Sequence, residues 1–364
     1  MSAGPVDHAT TRSEHIRRRC SMRWLEHVKG DPISRLLRNA GTPVRVRTYQ
    51  ELLGERERAE ALRRTLPVCA ESEEVFSRQL PSGGWLREGD LYHRNGPQYG
   101  FGAIQQLDRL ADYGLTVEEP RVRRAVEYVM GFRTPDGRFF WKRAEVARGR
   151  GEYRCWTAMF YEGYTVRALL CLGVPEEDLA SNLERIRALQ QDDGSWALRY
   201  GVSGRPLHRR GTAADDLLDR VWATTSALYA LLASPSHRES ETVRRGTRYL
   251  LDRLFDPVVE PRPGAGWWYY CLRYPDFYAS LLRSLEAATR ARFTVQDPRV
   301  RAGVDWLLTR QSEDGMWRTR FAMPRSLTGY DHIVPNHDWI TLRALLVIKR
   351  ACSEEDAHAQ STRC

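Results

Sequence analysis

The chain has 364 residues, of which 42% are hydrophobic and 28% charged, a balance typical of a globular protein that excludes a largely disordered one. Its formal net charge is +9, but the basic residues are scattered and not interleaved with aromatic ones, so we expect no nucleic acid partner. No apolar run approaches the roughly 20 residues of a membrane span, and the seven cysteines form no CxxC pair. We therefore expect a reduced, cytoplasmic protein without a transmembrane segment.

Domain boundaries follow from where the helical patterns begin and end. Residues 1–20 contain basic residues but no apolar core behind them, which predicts a disordered leader and not a secretory signal. We expect one domain over residues 21–352, with an N-terminal helical piece at 30–66 and repeats at 67–351. A disordered tail is predicted for residues 353–364.

A polar turn that contains glycine and ends in an aromatic residue recurs along the chain. It reads RQLPSGGW at 78–85, RTPDGRFFW at 133–141, QQDDGSW at 190–196 and RQSEDGMW at 310–317. Apolar residues at helical spacing predict amphipathic helices within 73–84, 119–137, 179–194, 241–256 and 297–315. Tryptophans in or near these turns are expected to pack back over them in a structural role: Trp85, Trp141, Trp196, Trp267 and Trp317.

A second, more apolar helix is predicted after each of these segments. The five ranges are 101–115, 158–173, 221–233, 277–288 and 339–351. Strand signals are nearly absent, so the fold class is all-α. Hairpins that recur roughly every 50 to 70 residues predict stacked repeats in two layers. Five to six hairpins suffice to close a barrel, and an open, curved solenoid satisfies the same periodicity.

The motif Q-x-x-D-G-S-W at residues 190–196 resembles the QW-type repeat of squalene and oxidosqualene cyclases. It is also similar to the related repeat of protein prenyltransferase β-subunits, the prenyltransferase and squalene oxidase repeat. The resemblance covers about residues 67 to 351. It implies the fold of the terpenoid cyclase and protein prenyltransferase superfamily, an α/α toroid.

The resemblance directs attention to the acidic residues just before the third apolar segment, 221–233. Squalene-type and class II diterpene cyclases protonate an alkene with a D-x-D-D motif, whose acid positions correspond here to Arg220, Trp222 and Ala223. The nearest acidic group is "DDLLD", with Asp215, Asp216 and Asp219. Three such close carboxylates repel one another unless a proton or a cation relieves them. A catalytic acid, a metal site and an acidic group that complements the helix dipole all remain open.

Metal dependence is not decided by these residues. The letters D-D-x-x-D match the element with which ionising terpene synthases bind magnesium diphosphate, in another fold. The protein prenyltransferase resemblance implies a zinc site with Asp219 and His337 as weak candidates, and Val221 stands where a thiolate is expected. Mg²⁺ and Zn²⁺ therefore both stay open, and no metal ligand is assigned.

In a toroid the inner helices are parallel and their N-termini converge at one end, where partial positive charge accumulates. We expect aromatic residues there to line a substrate cavity and to stabilise cations through their ring faces. The predicted lining residues are Tyr99, Tyr153, Trp156, Trp222, Trp268, Tyr269, Tyr270 and Trp339.

The leading hypothesis is a noncanonical terpenoid cyclase-like enzyme, of isomerase or lyase type, that acts on an isoprenoid or similar hydrophobic substrate. Asp219, helped by Asp215 or Asp216, would supply a proton or hold a metal. A prenyl diphosphate is among the candidate substrates. The alternatives are a zinc-dependent prenyltransferase-like enzyme with altered ligands and a non-catalytic toroid that binds a lipid or a peptide.

Overall fold

The computed structural model describes residues 23–85, 102–134, 137–139, 157–201, 204–206, 213–257, 269–276, 280–318 and 336–361, with side chains except at residues 23, 157, 214 and 354–361. The α-helices are Pro32–Asn39 (α1), Thr42–Arg47 (α2), Arg56–Arg63 (α3), Ala70–Phe76 (α4), Ala103–Tyr113 (α5), Pro120–Met130 (α6), Met159–Cys171 (α7), Ala180–Ala188 (α8), Ala213–Ala233 (α9), Glu241–Asp252 (α10), Leu281–Arg290 (α11), Pro298–Thr309 (α12) and His337–Ser361 (α13). Single turns of 3₁₀-helix lie at Arg23–His27, Leu66–Val68 and Glu176–Leu179, and a π-helix at Thr48–Leu53. The strands Thr157–Ala158 (β1) and Arg199–Tyr200 (β2) form one short antiparallel pair.

An outer layer consists of α4, α6, α8, α10 and α12, which are the amphipathic helices expected from the periodicity. α6 and α12 each begin with proline behind an acidic residue, whose carboxylate accepts a hydrogen bond from the helix backbone. Ser240 caps α10 in the same way by accepting from the N–H of Val243, at 3.3 Å. These caps satisfy N–H groups that no helical carbonyl can reach, so they define where the outer helices start.

The inner layer consists of α5, α7, α9, α11 and α13, which are buried around nearly their whole circumference. In α11, every residue from Leu281 to Thr289 is buried. The inner helices contact one another in chain order, and α7 with α9 is the most extensive pair. At Gly163 of α7, an added Cβ would lie 2.4 Å from the Ser226 carbonyl oxygen of α9. Only glycine permits this close approach.

The tryptophan of each recurring turn packs back on the outer helix that precedes it. Trp85, Trp196 and Trp317 donate their indole N–H groups to backbone carbonyl oxygens ten residues earlier, at 2.7, 2.6 and 2.7 Å. All three rings are buried, and Trp196 and Trp317 completely so. Within the described residues these tryptophans have the packing geometry expected of a structural role, while Trp141 and Trp267 lie outside the described residues.

The same turns also join each repeat to the next. The side-chain amide of Gln190 donates to the carbonyl oxygen of Gly194 in its own turn, at 3.0 Å, and to that of Thr242 in the next outer helix, at 2.9 Å. Gly194 has a φ of +87°, and an added Cβ would lie 2.7 Å from the Arg245 carbonyl oxygen. Each turn therefore seats on the following outer helix through backbone contacts.

The last repeat seats on the first part of the chain and closes the ring. Gln311 donates to the Lys29 carbonyl oxygen at 3.1 Å and accepts from the Lys29 N–H at 2.8 Å. In the inner layer, Arg343 of α13 pairs with Asp112 of α5 at 2.5 Å. The N-terminal helix α2 contacts both α5 and α13. The predicted all-α toroid is confirmed, and the open solenoid is excluded.

Two boundaries differ from the prediction. Helix α9 begins at Ala213, eight residues before the predicted start at 221, so the acidic residues belong to its first turns. Helix α13 continues to Ser361, where the sequence was expected to be disordered from residue 353. That stretch contains Glu, Ala and Gln, which are strong helix formers, and this composition favours continuation of the helix. Residues 1–20 lie outside the described residues. None of the described helices is both long and apolar enough to cross a membrane.

Candidate functional site

The inner helices run parallel, so their N-termini gather at one end of the ring. Phe160, near the start of α7, stacks on Trp222 in the first half of α9, with ring centroids 4.3 Å apart. Arg167, in the second half of α7, pairs with Asp112 at the end of α5. Residues near the N-terminus of one inner helix thus contact residues near the N-terminus of its neighbour, and residues near the C-termini likewise contact one another. The gathered N-termini favour an anion or an ionised acid at that end.

The three aspartates of α9 point in different directions. Tyr229 of α9 is directed into the ring. Asp215 precedes it by about four helical turns and lies on the same face, while Asp219 lies roughly 80° around the helix axis from Tyr229. Asp216 is directed away from this face. Its side chain is 49% exposed, and its carboxylate lies 3.7 Å from the guanidinium of Arg220, which also pairs with Asp193 in the outer layer. Asp215 and Asp219 are therefore better placed to face the ring interior than Asp216.

Trp222 is the aromatic residue whose position best fits the predicted cavity. Its ring is stacked on that of Phe160, with an interplanar angle of 26°. Phe160 in turn contacts Tyr161 at 4.3 Å between centroids. These partly buried rings lie at the same end of the ring as Asp215 and Asp219. Trp222 follows Asp219 by three residues, one turn along α9, and the stacked rings of Trp222 and Phe160 are called the aromatic wall below.

The other described aromatic residues occupy several environments. Tyr269 is buried at the start of α11, and its hydroxyl lies 3.2 Å from that of Ser284. Trp339 is buried between Tyr274 and Tyr113, with centroid distances of 4.6 and 5.9 Å. Tyr270 differs from the expectation, because its ring packs against Phe255 and Trp306.

Tyr270 belongs to the outer layer because Trp306 is on α12 and the Tyr270 hydroxyl donates to the Leu254 carbonyl oxygen. Adjacent residues of a loop commonly point to opposite sides, and here Tyr269 turns inward while Tyr270 turns outward. The remaining predicted lining residues, Tyr99, Tyr153, Trp156 and Trp268, lie outside the described residues.

The proposed zinc ligands, Asp219 and His337, have surroundings that differ from those of a zinc site. Burial, followed by the charge of Arg318, lowers the pKa of His337, which keeps its imidazole neutral and able to bind a metal at neutral pH. Among the described residues, however, no three His, Cys, Asp or Glu side chains are grouped so that they could hold a metal ion. Asp219 and His337 thus have no third described ligand. The described residues do not fit a zinc site like that of the protein prenyltransferases.

A layer of buried charged residues crosses the ring, and the apolar patterns did not predict it. Asp112 accepts from Arg343 at 2.5 Å, from Arg167 at 2.5 Å and from the Tyr274 hydroxyl at 3.2 Å. Arg47 of α2 approaches the same carboxylate at 3.9 Å. The layer therefore connects α5, α7 and α13 through one carboxylate.

Three further residues extend the layer. Asp108 pairs with Arg167, and Glu286 accepts from the Tyr229 hydroxyl at 2.5 Å and lies 3.4 Å from Arg343. Burial opposes ionisation of Asp112, but the charges of Arg167, Arg343 and Arg47 outweigh it and hold its pKa well below the usual range. The layer consists of ionised groups paired across helices. It makes this part of the ring interior polar rather than apolar.

Arg283 of α11 has unusual surroundings in this layer. Its side chain is only 1% exposed, and its guanidinium lies over the rings of Tyr229 and Tyr164, at 4.4 and 4.9 Å. Within the described part of the chain, its Nε and Nη2 atoms have no hydrogen-bond partner. A buried cation that lies over ring faces and has two unpartnered nitrogen atoms in the described part of the chain is suited to an anionic group of a bound molecule.

The sequence contained a signal for this layer. Asp108 and Asp112 are four residues apart in α5, and Arg283 and Glu286 are three apart in α11, so each pair occupies one helix face. Charged pairs inside otherwise apolar helices indicate a polar interior. Sequence reasoning missed them because it looked for functional residues at the helix starts.

Comparison with known proteins identifies relatives. No family model matches the chain. It is 30% identical over 147 residues to a probable squalene–hopene cyclase of Sinorhizobium fredii (strain NBRC 101917 / NGR234), over 38% of this chain and 21% of that protein. It is 27% identical over 160 residues to a dammaradiene synthase of Dryopteris crassirhizoma, over 40% and 21%. The chain thus spans about a fifth of the length of these curated relatives. These two matches support the resemblance to the terpenoid cyclase superfamily.

Solved structures are similar at a distance. A variant of the type II terpene cyclase MstE from Scytonema, in complex with geranylgeranyl dihydroxybenzoate, has a TM-score of 0.41 at 15% identity, over 81% of this chain and 83% of that chain. A protein from Actinoplanes has a TM-score of 0.45 at 15% identity, over 93% and 99%.

Proposed function

We propose that this protein is a terpenoid cyclase-like enzyme that acts on an isoprenoid or similar hydrophobic substrate within the toroid. The observation that carries the proposal is the pairing of Asp215 and Asp219 with the Trp222–Phe160 wall at the end where the inner helices start. An acid, a cation-stabilising aromatic surface and a helix dipole that supports the conjugate base then lie together. The sequence similarity to two cyclases supports the same class of reaction.

The chemistry assigned to these residues is an acid-initiated cyclisation. A protonated carboxyl of Asp219 or Asp215 gives its proton to a terminal alkene carbon, forming a C–H bond and a carbocation. A second double bond of the substrate attacks the cation, and a new C–C bond closes the ring. Loss of a proton from the cyclised cation ends the reaction, so the net change is an isomerisation. A lyase reaction would need an additional step, in which the C–O bond to diphosphate breaks, diphosphate leaves with the electron pair, and a second proton is lost to form a further double bond. The ring faces of Trp222 and Phe160 stabilise the cation by about 0.5 to 2 kcal/mol each.

We favour a substrate with an anionic end. Arg283 is buried with unpartnered guanidinium atoms in the described part of the chain, and it lies toward the middle of the ring. A prenyl diphosphate would place its hydrocarbon along the aromatic wall and its charge toward Arg283. This requirement distinguishes prenyl diphosphates from squalene, which has no charged group.

The experiment is to incubate the purified protein with prenyl diphosphates of about ten to thirty carbons and with squalene, with and without Mg²⁺. Products are identified by gas chromatography and mass spectrometry. Asp219→Asn or Asp215→Asn should reduce turnover at least about 100-fold, because the amide keeps the shape of the side chain but cannot donate a comparable proton. Asp216→Asn is the matched control on the same helix and should retain activity.

Two results would contradict the proposal. Absence of any product from all substrates, with bound lipid unaffected by the aspartate variants, would assign the toroid to binding without catalysis. Stoichiometric zinc that is lost in both Asp219→Ala and His337→Ala would instead support a prenyltransferase-like enzyme. Circular dichroism of each variant shows whether the fold is retained.

A further inference from the structure

A pocket of about 890 Å³ lies at the opposite end of the ring from Asp215 and Asp219. It is formed where α7, α9 and α11 end, together with the first turns of α10 and with Arg350 of α13. The buried charged layer around Asp112 separates the pocket from the aromatic wall. The pocket is therefore a second site, independent of the proposed cyclisation.

The lining of the pocket is strongly cationic. It contains two glutamates, Glu51 and Glu239, so that the formal excess is four positive charges. The six arginines that line it are Arg238, Arg244, Arg248, Arg290, Arg292 and Arg350. Partial negative charge at helix C-termini offsets a part of this excess, but each terminus supplies only about half a charge.

The two glutamates do not neutralise all the arginines. Glu239 pairs with Arg292 at 2.6 Å, and Glu51 pairs with Arg350 at 2.7 Å. Arg244 and Arg248 share the exposed Glu241 on the surface of α10. Arg238 and Arg290 form no salt bridge within the described residues. Among the described residues, no carboxylate thus lies within salt-bridge distance of these two guanidiniums, although the charge of Arg290 also lowers the pKa of Glu51 and of Glu286.

The guanidinium groups of Arg290 and Arg350 are close enough for their positive charges to repel one another. Burial, followed by the charge of Arg290, lowers the pKa of Arg350 to about 10. The Nη1 atom of Arg350 is also buried without a hydrogen-bond partner in the described part of the chain. A bound anion would relieve both the repulsion and the unmet hydrogen bond.

Arg292 is the second, independent observation. Helices α5 and α7 are each followed by a glycine of positive φ, Gly114 and Gly173. The backbone N–H of the residue after each glycine donates to the carbonyl oxygen five residues earlier, inside the helix. Helix α11 ends with the same hydrogen-bond pattern, but its positive-φ residue is Arg292, with a φ of 65°. An arginine in this conformation is strained where glycine is not. The strained residue lines the pocket and places another guanidinium at its rim.

We propose that this pocket binds a small, soluble molecule that carries phosphate groups with at least two negative charges. Guanidinium groups pair with phosphate oxygens in a bidentate manner, and several converging arginines match a multiply charged anion better than a single carboxylate. The concave shape encloses a small molecule, whereas a membrane surface would contact the exposed rim alone. The site does not depend on the cyclase proposal.

The probe is inorganic pyrophosphate, titrated into the full-length protein by isothermal calorimetry without divalent cations. Arg238→Gln combined with Arg290→Gln should weaken binding at least about tenfold for each charge-assisted contact that is lost. The control combines Arg38→Gln with Arg124→Gln, two exposed positions away from the pocket that change the net charge equally. Binding by the control variant should equal that of the unmodified protein.

Cys171 offers a local readout because it is an exposed, free thiol that lines the pocket. Pyrophosphate should slow its alkylation several-fold, measured by peptide mass spectrometry. Arg292→Gly should weaken pyrophosphate binding while the melting temperature stays equal or rises, since glycine tolerates the positive φ. This variant keeps the test valid should the double variant fail to fold.

Three outcomes would overturn the proposal. The first is no heat of binding and no protection of Cys171. The second is an equal loss of affinity in the pocket and control variants, which would indicate attraction to overall charge. The third is binding to phosphatidylcholine vesicles that contain phosphatidic acid without binding to pyrophosphate, which would assign the arginines to a lipid headgroup.

Discussion

Asp112 illustrates what a buried charge does in this protein. Its carboxylate is almost fully buried and is shared by Arg167 and Arg343, with Arg47 nearby. The attraction compensates the cost of removing these groups from water only while all partners are present. Loss of the carboxylate would leave two buried guanidiniums facing each other.

We therefore expect Asp112→Asn to reduce the free energy of unfolding by about 3 to 5 kcal/mol at pH 7. Asp314→Asn is the control, because Asp314 pairs with Arg35 and Arg318 at a partly exposed site. An exposed pair contributes about 0 to 1 kcal/mol. Urea unfolding followed by circular dichroism gives both values, and equal losses in the two variants would contradict a special role of the buried layer.

The pH dependence of stability has a defined sign. The folded pKa of Asp112 is depressed, so its contribution is fully present above the unfolded pKa of about 3.9 and is lost as the pH falls below that value. The difference between the unmodified protein and Asp112→Asn should hence be constant from pH 7 to about 5. Below pH 4 it should shrink by about 1.4 kcal/mol per pH unit. A difference that stays constant down to pH 3 would show that the pairing with Arg167 and Arg343 does not lower the pKa of Asp112.

At the scale of the element, the glycine of the repeated turn combines two requirements. Gly194 needs a positive φ, and it also lies against the backbone of the next outer helix. Gly54 ends the π-helix with a φ of +70° but has no atom within 4 Å of an added Cβ. The two positions separate the cost of the backbone conformation from the cost of the contact.

Gly54→Ala should thus lower the free energy of unfolding by about 1 kcal/mol, the cost of a left-handed residue. Gly194→Ala should lower it by roughly 2 to 4 kcal/mol, because the backbone of α10 must also move away. Thermal or urea unfolding measures both. Equal effects would show that the turn of residues 190–196 does not need its close contact with α10.

At the scale of the whole molecule, the contacts between Gln311 and Lys29 join residues 282 positions apart in the chain. Gln190 makes the corresponding bonds between neighbouring repeats. Ring closure therefore uses the same device as repeat stacking, applied between the two ends of the toroid.

Gln311→Ala should open this closure locally. We expect faster hydrogen exchange in both residues 23–39 and residues 298–318, because each segment loses its partner. Gln190→Ala is the control and should affect only residues 180–201 and α10. Faster exchange confined to residues 298–318 in Gln311→Ala would mean that the N-terminal segment is held by other contacts.

The sequence by itself determined the helices, their two layers and the turns that join them. Helical spacing and the Asp-Gly turn are local properties, and α6, α8 and α12 lie where the patterns placed them. The resemblance of one seven-residue motif also indicated a closed ring over an open one. The spacing of Asp215, Asp216 and Asp219 was also visible in the sequence, whereas the direction of each side chain around α9 depends on the fold.

Only the tertiary structure decided which charged residues meet inside the ring. Asp112 and Arg343 are 231 positions apart, and no spacing in either helix reveals that they pair. The arginine pocket likewise draws on α9, α10, α11 and α13, and its charge excess exists only because their ends converge. A helical pattern reports how one face of one segment is buried, whereas a buried ion pair depends on what the neighbouring segments bring to the same place.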